Sequence, residues 1–300
     1  MIVTDLVCQE IREHIASHRP ERGGALYGPR HYPMVTHFEY DFDARTSAVS
    51  YVPSDRLIAN VAVVEREAGL QFKGIVHSHP RGLVRPSAGD ERTVLSFFAK
   101  NPQFAAIALP IVQPLPRSRA PQSEPAPEPA PDLEPGAAPS FLHWYRAERG
   151  GAAARAGDVR RDAVTIVEEP LHVLPILAHV ERLLAGLARG GLALTCNRKL
   201  QHLEIAGSQL VGLVCSGPAQ REFMYFVGLG YPVVAPLVLY QHEGATRSLA
   251  IEWDGISDAE ASVERIAALL YAAMGGPDAS GPAPRTEPPR AAPAQPSHAT

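Results

Sequence analysis

Residues 114–139, PLPRSRAPQSEPAPEPAPDLEPGAAP, set the strongest limit on how this chain can fold. The segment is dense in Pro, Ala, Glu and Ser and nearly devoid of large apolar side chains. It cannot bury enough surface to offset the entropy lost on ordering, so it reads as a disordered insertion. A tail over 276–300 has the same character, and a shorter Gly/Ala-rich break at 149–159 reads as a linker. Ordered structure is therefore expected in two blocks, 1–148 and 160–275. Strand-like runs at 104–112 and 141–147 flank the Pro-rich insertion. If they are neighbours, the insertion is a long loop inside the first block and not its boundary.

Composition narrows the class of protein. The 300 residues are 45% hydrophobic and 20% charged, enough to bury cores, and the net charge of -4 offers nothing to attract nucleic acid. Cys8, Cys196 and Cys215 are too few and too dispersed for a disulfide framework, and no CxxC pair is present. A reducing cytoplasm fits this usage. The N-terminus lacks the basic start and apolar run of a signal peptide, and no stretch approaches the roughly 18 apolar residues of a membrane span. Neither nucleic acid nor membrane is expected as a partner.

Within 1–112 helical and strand periods alternate. Residues 5–18 place Leu6, Ile11 and Ile15 at helical spacing. GGALYG at 23–28 and VTHFEYDF at 35–42 read as strands. Ser54 caps a helix that ends near Gly69, FKGIVHSHP at 72–80 is a strand ending in a His-rich turn, and Ser87 caps a helix over 87–101.

The chemistry concentrates in His77-Ser78-His79-Pro80, followed by Ser87 and Asp90. In an extended segment residues i and i+2 point the same way, so the two imidazoles can converge on one ion. Asp90, from the next helix, supplies a third ligand. Two neutral imidazoles, a carboxylate and a water make an open tetrahedral site suited to catalytic zinc. A glutamate in a half-buried site would then serve as the proton carrier, and Glu21 and Glu39 both come into question. Taken singly, each residue has an ordinary explanation: a surface turn, a helix cap, a charge at a helix N-terminus, a solvated loop residue. Only the combination at this spacing points to a metal centre.

The pattern resembles the JAMM (MPN-plus, or JAB) zinc metalloprotease family of bacterial type. His79 is followed by seven residues, then Ser87, two residues and Asp90, as in that family. Glu21-Arg22-Gly23-Gly24-Ala25-Leu26-Tyr27-Gly28 has the form of its upstream glutamate before a glycine-rich strand. The resemblance extends as far as His143-Trp144-Tyr145. It implies an α/β (α+β) domain, a mixed sheet flanked by helices. It assigns Zn2+ to His77, His79 and Asp90, acid/base work to Glu21 in preference to Glu39, and an oxyanion hydrogen bond to Ser87. It further implies hydrolysis at the C-terminus of a ubiquitin-like or sulfur-carrier protein, with activating and conjugating enzymes of the same system as further partners.

The second block reads as helix, strands and helix. The helix carries Leu174, Ile176, Leu177, Val180, Leu183 and Leu184. Strands are expected at 202–206, 209–215, 221–229, 231–240 and 248–253, and a closing helix at 257–274. Gly217-Pro218, Tyr231-Pro232 and Pro236 resemble the turn and YPxxxP loop of the ubiquitin-conjugating (UBC/RWD) fold. No cysteine follows that loop, so the likeness implies an inactive, partner-binding version. An unrelated α+β dimerisation module is the other reading. Cys196 and Cys215 read as core residues.

Overall fold

A computed structural model describes residues 1–19, 21–47, 50–116, 138–150, 164–255 and 258–275. Most of the Pro-rich insertion and of the expected linker, and the tail from 276, lie outside these described residues. Contacts divide the chain into Met1–Leu177 and Ala178–Thr300.

The first unit runs β1 (Ile2–Thr4), α1 (Asp5–Ile11), β2 (Gly23–Pro29), β3 (Met34–Val35), β4 (His37–Tyr40), β5 (Arg45–Thr46), β6 (Tyr51–Val52), α2 (Asp55–Glu67), β7 (Leu70–Ser78) and α3 (Ala88–Lys100). It continues through β8 (Ala106–Ala108), β9 (Ile111–Val112), β10 (Leu142–His143), β11 (Tyr145–Arg149), β12 (Val164–Glu168) and β13 (His172–Leu174). A π-helical turn at Arg12–Ala16 extends α1. β7 is the hub of the mixed sheet. It pairs antiparallel with β2 and parallel with β8 and β9. β4 lies beyond β2, while β10 follows β9, and β11 then β12 follow β8.

One core forms on the α1 side of the sheet from Val7, Ile11, Leu26, Val76 and Trp144. The other forms under α2 and α3 from Ala25, Leu57, Phe72, Val94 and Phe98. A register shift where β2 meets β7 aligns Leu26 with Gly74 and Tyr27 with Phe72, leaving Lys73 as the extra residue. This bulge resets the strand's alternation. Phe72 and Ile75 consequently face the α2/α3 core while Val76 faces the other. His77 and His79 share the phase of Ile75, which puts them on the α2/α3 side. Gly74 also lets β8 approach, because a Cβ there would sit 1.9 Å from the Ala108 carbonyl oxygen.

The runs flanking the Pro-rich insertion do pair: β9 with β10 and β8 with β11, so the insertion joins neighbouring strands of one sheet. The start expected for the second block at 160 is too early. β12 adds to β11, and β13 pairs with β1, so residues 164–174 complete the first unit's sheets.

The second unit comprises α4 (Ile176–Arg189, its first two residues falling before the division), β14 (Thr195–Ile205), β15 (Ser208–Ser216), β16 (Glu222–Val227), β17 (Leu237–His242), β18 (Ala245–Ser248) and α5 (Ala259–Ala273). The five strands form an antiparallel meander in chain order. Three strand expectations shift. The strand expected from 202 begins at Thr195. Residues 231–236 are turn, interrupted by Pro232 and Pro236, so the strand begins only at Leu237. The last strand is β18, ahead of the expected 248–253, because the two-residue turn at Glu243-Gly244 folds the chain straight back onto β17. No helix among the described residues is long and apolar enough to cross a membrane.

Candidate metal centre

The end of β7 positions the imidazoles. His77 N–H donates to the Pro110 carbonyl and His79 N–H to that of Val112, so both backbones are tied to the parallel neighbour. Ser78, between them, points the opposite way, and its hydroxyl accepts from the Arg22 N–H at 2.9 Å. Ser87 caps α3, and Asp90 closes a capping box: the Ser87 N–H and hydroxyl both donate to Asp90 Oδ2, at 2.6 and 2.7 Å.

These elements bring the ligand groups of three residues together. The two Nε2 atoms of His77 and His79 are 2.9 Å apart. Asp90 Oδ1 lies 3.0 Å from His77 Nε2, and Oδ2 lies 3.2 Å from His79 Nε2. Tetrahedral zinc with bonds near 2.0–2.1 Å spaces its donor atoms about 3.3 Å apart, so two imidazole nitrogens with one carboxylate oxygen on each fit such an ion after a small outward adjustment. The second nitrogen of His79 faces the Leu83 carbonyl at 3.1 Å, and donating there leaves Nε2 free as a ligand. Gln113 Nε2 donates to the same carbonyl at 3.0 Å, and Gln113 Oε1 accepts from the Gly82 N–H at 2.7 Å, bracing the loop.

Glu21 is buried at the N-terminal approach to β2, and with His77 and His79 it offers atoms all within 4.8 Å of one another. This Glu/His/His group is able to hold a metal ion. Burial, reinforced by the Asp90 carboxylate and opposed by His79, pushes the Glu21 carboxyl up to about 7. Burial would also raise Asp90, but hydrogen bonds from His77 and His79 outweigh it and hold that carboxyl well below the usual range. For His79, burial opposes the charged form, yet the bond to Asp90 and the nearby Asp90 and Glu21 charges raise its pKa on balance. Glu39, the rival, is engaged elsewhere, accepting from Tyr27 and Asn60.

Two side chains that sequence reasoning missed complete the surroundings. Tyr51, on β6, stacks against His77, and its hydroxyl donates to buried Asp41 at 3.1 Å. Asp41 also accepts from the N–H and hydroxyl of Ser54, the cap of α2. No short-range pattern links Tyr51 to His77: Tyr51 lies on the separate β5–β6 pair and meets the imidazole only in the folded domain. From the centre a groove of about 880 Å³ runs between α2 and α3, passing Leu57, Val61, Ile75, Phe72 and Phe97.

The fold and this site together define a mixed α/β domain with a metal-binding constellation at a strand end. Residues 5–110 match the family model of prokaryotic homologs of the JAB domain. Among solved structures, protein DSY2949 from Desulfitobacterium hafniense is 19% identical, with 57% of this chain and 92% of that one covered and a TM-score of 0.36. A JAB1/MPN domain protein from Archaeoglobus fulgidus is 17% identical, with 58% and 97% covered and a TM-score of 0.27. No curated protein matches.

Proposed function

We propose that the first unit is a zinc-dependent isopeptidase that hydrolyses the bond at the C-terminus of a ubiquitin-like protein. The observation that carries this reading is the cluster of His77, His79 and Asp90, with contacts of 2.9 to 3.2 Å between their ligand groups and the buried Glu21 carboxylate beside it. A divalent ion held there would supply Lewis acidity and bring the pKa of a water down to about 7. Glu21 accepts a proton from the attacking water and returns it to the leaving amine. Ser87, at the rim, donates to the developing oxyanion once its hydroxyl turns from Asp90.

The groove supports an extended tail as substrate. α3, which forms one wall, has 13 residues. At about 1.5 Å per helical residue and about 3.3 Å per extended one, it spans roughly six residues of tail. β6 borders the groove and offers an edge for strand addition. The second unit then recognises a partner of the same system. A sulfur-carrier protein with a C-terminal extension is the alternative substrate of the same chemistry.

The test is zinc content and cleavage of a ubiquitin-like fusion. Wild type should hold one zinc per chain, and His77→Ala and Asp90→Ala should lose it. Glu21→Gln should keep it while turnover falls by about 10²–10⁴. Undiminished turnover in Glu21→Gln, or wild type that binds no zinc, would leave a non-catalytic scaffold role instead.

A further inference from the structure

The second unit holds a paired-thiol site that the hydrolytic chemistry does not use. Cys196 on β14 and Cys215 on β15 are direct register partners, with Asn197 aligned to Val214 on one side and Thr195 to Ser216 on the other. Antiparallel partners have Cα atoms about 4.5–5.5 Å apart, inside the 4.4–6.8 Å window that a disulfide requires. Register partners also share a face of the sheet, so both side chains leave the strands in one direction. Both thiols are free. Cys215 is fully buried, whereas Cys196 is half-buried at the outer strand of the meander. Just beyond it the ladder loses register between Asn197 and Gln201, so this strand end can adjust without disturbing the sheet.

From this placement we propose that Cys196 and Cys215 form an oxidisable dithiol, with Cys196 as the attacking thiol and Cys215 as the resolving one. The oxidant class is a peroxide. The Cys196 thiolate attacks one peroxide oxygen and the O–O bond breaks, giving a sulfenic acid and, for hydrogen peroxide, hydroxide. The Cys215 sulfur then attacks the Cys196 sulfur, forming the S–S bond and releasing the second oxygen as water. Two thiols and one hydrogen peroxide thus become one disulfide and two waters. The neighbouring Cys215 and the Arg198 charge favour the Cys196 thiolate against the effect of burial, which accords with the order of attack.

The third cysteine is a built-in control, since Cys8 lies fully buried in the first unit. The full-length native protein, treated with hydrogen peroxide and alkylated after unfolding, should carry one alkyl group where the untreated protein carries three, and its intact mass before alkylation should be lower by two hydrogens. Peptide mapping should join Cys196 to Cys215 and leave Cys8 alkylated. In Cys215→Ala a 1,3-dione probe should trap sulfenic acid at Cys196, and in Cys196→Ala Cys215 should stay unlabelled. Unchanged wild-type mass after peroxide, or a link that includes Cys8, would overturn the proposal. Equal labelling of Cys215 in Cys196→Ala would overturn the assigned order. The wild-type mass does not depend on either variant folding.

Discussion

The Tyr51 ring lies nearly parallel to the His77 imidazole, with centroids 6.0 Å apart and 12° between the planes. Its hydroxyl is held by Asp41, which in turn anchors the cap of α2. The ring therefore fixes one face of a candidate ligand, while the Asp41 bond fixes the ring. Loss of a group that orients a ligand typically costs 10–100-fold in metal affinity. Tyr51→Ala should weaken zinc binding by about tenfold or more, and Tyr51→Phe, which keeps the ring, by clearly less. Competition with a chromophoric chelator measures both. Equal affinities for wild type and Tyr51→Ala would remove Tyr51 from the site's support.

Ser87 has two separable jobs. As the cap of α3 it donates to Asp90 and accepts from the Asp90 N–H. Losing the cap should cost about 1 kcal/mol of stability in Ser87→Ala. If the same hydroxyl serves the oxyanion, turnover at saturating zinc should fall by about 10²–10³ as well. Both losses are expected. Full turnover at saturating zinc in Ser87→Ala would reduce the residue to a helix cap.

Gly23 carries the packing behind Tyr51. A Cβ at that position would lie 2.6 Å from Tyr51 Cζ and 2.7 Å from the Val76 carbonyl oxygen. The ring could swing aside, but the backbone oxygen sits in the β2–β7 ladder and cannot. Gly23→Ala should therefore destabilise by about 1–3 kcal/mol, the usual range for overpacking, and should also weaken zinc binding by displacing Tyr51. Gly82, with nothing near its missing Cβ, is no steric control because its φ is +88°. Ala25→Gly, two residues along on the same face of β2, weakens the strand and removes one core methyl without crowding Tyr51, so zinc affinity should hold. Calorimetric unfolding and zinc competition on the two variants provide the comparison.

The constellation was legible because its residues are close in sequence and their roles are tied to chemical type. His77, His79, Ser87 and Asp90 fall within fourteen positions, spanning one strand end and one helix start. The i, i+2 argument gave the right convergence of the histidines but not the face they occupy. That depends on the bulge at Lys73, which requires knowing how β2 pairs with β7. Tyr51 and Asp41 were hidden because they reach His77 through tertiary packing, which leaves no local period. In the second unit the helices were legible from their apolar faces. The strand over 231–240 was misread because an apolar run containing two prolines still looks continuous when only hydrophobicity is counted. Residues 164–174 were assigned to the wrong unit because nothing local distinguishes a strand that completes one sheet from a strand that starts another.

His179 supplies a pH test in the second unit. It is 2% exposed, and its Nδ1 meets the Tyr231 hydroxyl, which is also hydrogen-bonded to the Tyr225 hydroxyl. Burial, with help from the Arg182 charge and against that of Glu260, pushes its pKa down to about 4 from an ordinary 6.5. The folded chain thus keeps His179 neutral where the unfolded chain would protonate it. Stability from this group is complete above about pH 6.5 and is lost as pH falls towards 4, amounting to about 3 kcal/mol over the window. Trp253 stacks on Tyr231 at 5.6 Å and reports on the same region. In a Trp144→Phe background its fluorescence should follow denaturant unfolding of this unit. Between pH 7 and 4 the unfolding free energy should drop steeply with His179 and less steeply in His179→Gln. Matching slopes for the two proteins would mean that His179 takes up its proton equally well in the folded chain, and the buried Tyr225–Tyr231–His179 chain would then have to open on acidification.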